Sequence, residues 1–317
     1  MPPPSAPSGR IIPPPNMVVF GPNANCTFEL CPLEMSVYRY RPSLPVNAVF
    51  IALYAIATII HTYLGVRWKR WWFTACINIG CINAIIGYAG RIMLYNNPWS
   101  FTAFMIQIIC ITTGPVYYCA AIYITLSISI STLAPTLSRF PPLLFYWIFL
   151  PCDIISLILQ AAGGAISTST SGRGQTGVDL AIAGMAFQVF TILVFCGFLG
   201  DYLVRYFRAL GRGEVSVKVF FGMICVAVVL TLGRCTYRLV ELREGYSGRL
   251  IHDEGLFVGL EGVLVLVAVY CLMVGHPGWV FERSVGDVGN LDRRHSLISN
   301  HFASSFKENF HQFHRNR

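Results

Sequence analysis

Seven stretches of this 317-residue chain are long and apolar enough to cross a bilayer, and together they take up most of its length. A spanning helix needs about 20 mostly apolar residues to cover roughly 30 Å of hydrocarbon. The runs lie near 45–66, 71–94, 102–130, 143–166, 178–200, 219–240 and 254–275. Inside a bilayer no water satisfies the backbone, so each run has to form a helix. The alternating ten-residue segments of a barrel are absent. The expected fold is all-α, a polytopic bundle of seven transmembrane helices over 45–275. A Pro-rich tail, 1–44, precedes it and a second tail, 276–317, follows. Only 12% of the residues are charged, about half the share of a soluble domain, so no second globular domain is expected.

Basic residues set the orientation, because they collect on the cytoplasmic side. With the N-terminus outside, the inner loops and tail hold fourteen of the 23 lysines and arginines, including Arg67, Lys69, Arg70, Arg205, Arg208 and Lys218, while six lie outside. The N-terminus is therefore expected outside and the C-terminus in the cytoplasm. The acceptor Asn25-Cys26-Thr27 agrees, since glycosylation takes place on the lumenal face, and Asn25 becomes a candidate glycosylation site. The first twenty residues contain no apolar signal-peptide core. Cys26 and Cys31 stand in the outer tail, where a disulfide can form. The other nine cysteines fall in spans and are read as small buried apolar residues. The net charge of +8 suits contact with anionic lipid. Basic residues spread over several loops do not make a nucleic-acid stripe.

In the C-terminal tail, Arg293-Arg294-His295-Ser296 has the form of a basophilic kinase site. Ser296 is thus a candidate phosphorylation site, and a cytoplasmic kinase a candidate partner. Phe302, Phe306, Phe310 and Phe313 fall on one helix face, an amphipathic pattern over 300–314 that suits the inner interface.

Polar side chains within spans are expensive and therefore informative. Span six carries Arg234, Arg238 and Glu241 on one face, and span seven carries Glu254 and Glu261 on one face. At 1.5 Å per residue, Arg234 lies roughly 9 Å and Glu261 roughly 10 Å below the same surface. The depths predict an Arg234–Glu261 pair, with Arg238 beside Glu254 above it. Asn47, Arg91 and Gln107 reach a similar level in spans one to three, which suggests a polar cavity open to the outer face. Deeper, Asp153 lies near mid-membrane in span four, with Gln160 seven residues later and Gln188 at similar depth in span five. An unpaired carboxylate there is costly, so Asp153 is the first candidate for a coupling proton or a cationic head group. The small residues Ala161 to Ala165 are read as a close-packing patch. Pro115 and Pro151 are expected to bend their helices.

Absences narrow the function. No lysine falls within a span, which excludes a retinal Schiff base, and no GxxxxGK[ST] loop is present. No His, Cys and carboxylate set has metal spacing and no nucleophile constellation is found, so neither a metal, a cofactor nor an enzyme activity is expected.

Arg234-x-x-Tyr237-Arg238-x-x-Glu241-x-x-x-Gly245, followed by Glu254, Glu261 and His276-Pro277-Gly278, resembles the C-terminal signature of the RTA-like fungal membrane proteins. These are the lipid-translocating exporter family, named for resistance to aminocholesterol. Tyr40-x-Pro42 with Asn47, Gly87-Tyr88-x-x-Arg91, Pro115 with Ala121 and Tyr123, Asp153 with Ser156, Gln160 and Gly163-Gly164, and Gly184 with Gln188 extend the resemblance over 40–278. Ala84 stands where the family often has Glu, Glu261 where it usually has Asp, and Gly255, Leu256 and Val258 where it tends to be aromatic. The resemblance implies a seven-span protein, often of the plasma membrane. It also implies outward movement of sphingoid long-chain bases or related lipids and resistance to toxic amphiphiles.

A sphingoid base is a cationic amine on an acyl chain. Asp153, Gln160, Gln188, Glu241, Glu254 and Glu261 are the candidate pathway residues, and Arg91, Arg234 and Arg238 a structural charge network. The alternative is a seven-span receptor for lipid or stress signals, which the same topology suits. Seven spans cannot divide into an even inverted repeat of the kind many transporters carry.

Overall fold

The computed structural model describes residues 17–19, 21, 23–133, 141–142, 144–169, 175–210, 215–244, 248 and 250–278. Ser296, the basic motif before it and the segment 300–314 lie outside the described residues. Seven helical spans are present, and no strand occurs among the described residues. The helices are α1 (Leu44–Trp68), α2 (Trp71–Asn96), α3 (Phe101–Leu133), α4 (Leu144–Ser169), α5 (Gln175–Leu210) and α6 (Val215–Glu244). The seventh span, Glu254–Val274, is composite. A short turn, α7 (Glu254–Leu256), passes into a π-helical segment, Phe257–Val263, and then into α8 (Leu264–Val274).

Local chemistry accounts for the helix ends. Pro45 occupies the first turn of α1, where a missing N–H leaves nothing unpaired. Lys69 ends α1 in the left-handed region, φ 54°, and returns its N–H to the Gly65 carbonyl. Asp253 caps α7, its Oδ1 accepting from the Gly255 and Leu256 amides at 2.9 and 3.3 Å. Helices α3 and α5 outrun their apolar cores. At 36 residues α5 is about 54 Å long, so it tilts or projects beyond the hydrocarbon. Its projecting end carries an exposed Asp201–Arg205 pair at 3.1 Å. Both α3 and α4 continue through their prolines, Pro115 and Pro151.

Two hairpins pack backbone to backbone. A Cβ on Gly90 of α2 would lie 3.0 Å from the Gln107 amide nitrogen and 3.1 Å from the Ala103 carbonyl oxygen of α3. One on Gly163 of α4 would lie 2.5 Å from the Ala181 nitrogen and 2.6 Å from the Gly177 oxygen of α5. The small-residue patch therefore closes the α4–α5 seam, as the pattern at 161–165 suggests. Around these seams the core is aromatic. Phe50 and Tyr54 of α1 stack on Tyr88 of α2, and Phe149 of α4 meets Tyr123 and Phe195 of α3 and α5. Large apolar side chains such as Ile59, Phe190 and Val229 point outward, as a lipid-facing surface requires.

The segment before α1 covers one end of the bundle, the tail face. Cys26 and Cys31 form a disulfide there. Phe28 meets Trp99 edge-on at 5.2 Å, and Arg41 lies 3.7 Å over the Tyr95 ring while donating to the Tyr95 carbonyl. At the opposite face, His276 sits against Trp68 and Phe73 at 4.9 Å from each, and a Cβ on Gly278 would collide with the Trp68 indole.

Candidate functional site

Five helical spans and the tail converge on one charge network below the tail face. Arg234 donates to Glu261 at 2.6 Å, with both side chains fully buried, and the same guanidinium Nη2 donates to the Ile111 carbonyl of α3 at 3.1 Å. Pro115, four residues on, has no N–H to offer that carbonyl, so the arginine supplies the missing bond and joins α6, α3 and the seventh span at one point. Arg238 corrects the expectation from depth alone. It pairs with Glu241 on its own helix at 2.7 Å and lies 3.6 Å from Glu261, whereas Glu254 is 3.6 Å from Arg91. Two physical causes divide the partners this way. Glu241 is one turn from Arg238 and always within reach. The π-helical segment bonds i to i+5 and winds more loosely, so Glu254 and Glu261 lose the shared face an α-helix would give them.

Arg91 is completely buried and held on several sides. Its Nε donates to Asn47 at 3.1 Å, its Nη2 donates to the Tyr40 hydroxyl at 3.1 Å, and its guanidinium lies 3.9 Å from the Phe257 ring centroid. Glu254 also accepts the Ser43 N–H at 2.6 Å, and Tyr38 accepts from Gln107 at 2.8 Å. Burial pushes the Tyr38 and Tyr40 hydroxyls above the usual phenol range, against the pull of Arg91, so both remain protonated. Three arginines meet three glutamates. The network balances its own charge; Glu241 and Glu261 are buried on internal cations, while Glu254, partly exposed, also lines the cleft above.

Above it an open cleft of about 650 Å³ lies between the tail and the start of the seventh span, lined by Arg39, Tyr40, His252, Asp253 and Glu254. Asn47, Arg91 and Gln107, which suggested a polar cavity at their own level, are buried in the network and do not line this cleft.

Asp153 lies apart from the network, on the buried face of α4. Its Oδ2 accepts from the Tyr123 hydroxyl at 3.0 Å, and its Oδ1 has no partner. Of the three buried carboxylates among the described residues, Glu241 and Glu261 have arginines and Asp153 has no basic partner. Gln160 donates to Gln188 at 3.0 Å across the α4–α5 seam. Cys119 and Cys235 each interact electrostatically with both Asp153 and Arg234, so the two sites are neighbours in the core. No group of three or more potential metal ligands occurs among the described residues.

A model of the RTA1 like protein family matches residues 77–284. The chain belongs to this family. The matched stretch contains Arg91, Asp153, Arg234, Arg238, Glu241, Glu254 and Glu261, so every charged member of both sites lies in the RTA1-like region. Among curated relatives from Saccharomyces cerevisiae, the sphingoid long-chain base transporter RSB1 is 28% identical over 282 residues, covering 76% of this chain and 73% of that protein. Protein RTM1 is 27% identical over 289 residues, covering 76% and 92%. Protoporphyrin uptake protein 1 is 29% identical over 208 residues, covering 62% and 66%. No solved structure matches the chain.

The RTA1-like network uses groups that a list of polar residues within spans does not reach. These are Tyr38 and Tyr40 of the tail, the Ser43 amide, the Ile111 carbonyl and the Phe257 ring. Two tyrosines just before a span in an otherwise Pro-rich tail were one available signal, and Pro115, which frees the Ile111 carbonyl four residues earlier, was another; the Ser43 amide leaves none. Tyr123, the partner of Asp153, was marked only by the family pattern.

Proposed function

We propose that this RTA1-like protein is an integral membrane transporter of lipids or related amphiphiles, not an enzyme. Its cargo is a single-chain cationic lipid of the sphingoid-base class, moved toward the outer leaflet. In this reading the N-terminus is outside, Asn25 is glycosylated, the protein resides in the plasma membrane, and export protects the cell from toxic amphiphiles.

The observation that carries the reading is Asp153. A buried carboxylate with one unpartnered oxygen and no basic neighbour is costly as an isolated anion. An ammonium group arriving at Oδ1 would complete the ion pair the fold omits. The arginine–glutamate network, already balanced, serves to hold α3, α6 and the seventh span around the route. Similarity to a sphingoid long-chain base transporter supports the choice of cargo.

The test is release of a labelled sphingoid base from loaded cells at matched surface expression. Wild type should release faster than empty vector, and Asp153→Asn should reach the surface yet release at the vector rate. Equal release in all three would overturn the reading.

A further inference from the structure

The cleft on the tail face carries charges that a simple cation cannot satisfy. Arg39 lines it, is exposed, and has no ion pair among the described residues. Its backbone is left-handed, φ 59°, a region that disfavours side chains other than Gly, Asn and Asp. Lys69, the other such residue among those described, ends a helix, where this conformation is routine. Arg39 follows no α-helix; its N–H is held by the Ser36 hydroxyl at 3.1 Å, which fixes the turn that aims it into the cleft. Backbone strain kept at a charged side chain points to a use for that side chain.

Opposite charge lines the same space. Asp253 uses Oδ1 to cap α7, Glu254 is partly exposed, and His252 directs Nδ1 to the Gly248 carbonyl and leaves Nε2 without a partner. A purely anionic ligand would meet the two carboxylates, and a purely cationic one would meet Arg39. A ligand bearing both charges leaves neither unmatched. The cleft also sits where α1 and the seventh span begin, at the level of lipid head groups.

We infer that this cleft recognises a zwitterionic head group, its phosphodiester on the Arg39 guanidinium and its ammonium against Asp253, Glu254 and the His252 Nε2. Arginine suits a phosphate through paired N–H donors. The inference rests on the reading of the chain as a lipid-handling protein, and it adds a second ligand class at a site distinct from Asp153.

Binding to the purified full-length protein in detergent tests it. The probes are dihexanoyl phosphatidylethanolamine (zwitterion), dihexanoyl phosphatidylglycerol (anion), a short-chain alkylamine (cation) and glycerophosphoethanolamine (the head group without chains). Wild type should bind the zwitterionic lipid about tenfold more tightly than either single-charge probe, the worth of one charge-assisted hydrogen bond. Arg39→Asn tolerates the left-handed backbone and removes the charge; it should abolish that preference without weakening amine binding, and Arg39→Lys should restore part of it. Binding of glycerophosphoethanolamine as tight as that of the lipid supports the same chemistry with a soluble source; weaker binding assigns the source to the bilayer. Equal binding of the anionic lipid, or an unchanged preference in Arg39→Asn, overturns the inference. Base release separates the two readings. No zwitterion preference with Asp153-dependent release intact defeats this inference alone, and preference without release defeats the transport reading alone.

Discussion

Arg234 and Glu261 form a buried pair with both side chains removed from water, and such a pair is held by geometry more than by net energy. Removing one partner strands the other. Glu261→Gln should leave Arg234 and Arg238 facing each other with less compensation and cost about 3–5 kcal/mol. Arg234→Gln combined with Glu261→Gln should recover part of the loss. Thermal unfolding of the single and double variants measures the coupling; additive losses would show that the two residues act independently. This pair was legible in the sequence because helical rise converts residue number into depth. The partner of Arg238 was not, because depth says nothing about rotation. A local Glu241 and a π-helical turn decided it.

The α4–α5 hairpin shows how one helix pair depends on the absence of a methyl group. Gly163 faces the backbone of α5, while Gly164, next in sequence, has nothing within 4 Å of where its Cβ would stand. Gly163→Ala must push α5 away and should cost about 1–3 kcal/mol, whereas Gly164→Ala should be neutral or slightly stabilising through helix propensity. Melting temperatures of the two variants make the comparison, and equal effects would remove the seam from the account. The run of small residues at 161–165 announced close packing. Which glycine touches the neighbour depends on how α4 is rotated, which the buried face through Phe149, Asp153 and Gln160 sets.

For the molecule as a whole, the end opposite the tail face carries an acid-sensitive contact. His276 is buried against Trp68 and Phe73, and burial, then the neighbouring His61 and Arg70, lower its pKa to about 3. The unfolded chain titrates near about 6.5. Below that value the unfolded state binds the proton that the folded state refuses, so stability falls as pH drops from about 6.5 toward about 3. His276→Asn keeps an acceptor for the Gly278 N–H that His276 Nδ1 now receives at 3.0 Å, and it removes the titration. Its unfolding temperature should decline less than that of wild type between pH 7 and pH 5, and parallel declines would contradict the role given to His276.

Seven apolar runs by themselves determined an all-helical, membrane-spanning bundle, because a backbone without water has to bond within its own segment. The ranks of small and polar residues also marked which helix faces turn inward, and the spacing of Asp153, Arg234 and Glu261 placed them below the surface. Tertiary structure alone decided that Arg238 takes Glu241 and Arg91 takes Glu254, that Asp153 is left without a cation, and that Arg39, from a tail with little pattern, enters the cleft beside Glu254. Those outcomes depend on helix rotation, on a π-helical turn and on contacts across 44 residues or more, as between Asn47 and Arg91. Periodicity along one helix carries no information about what faces it from another.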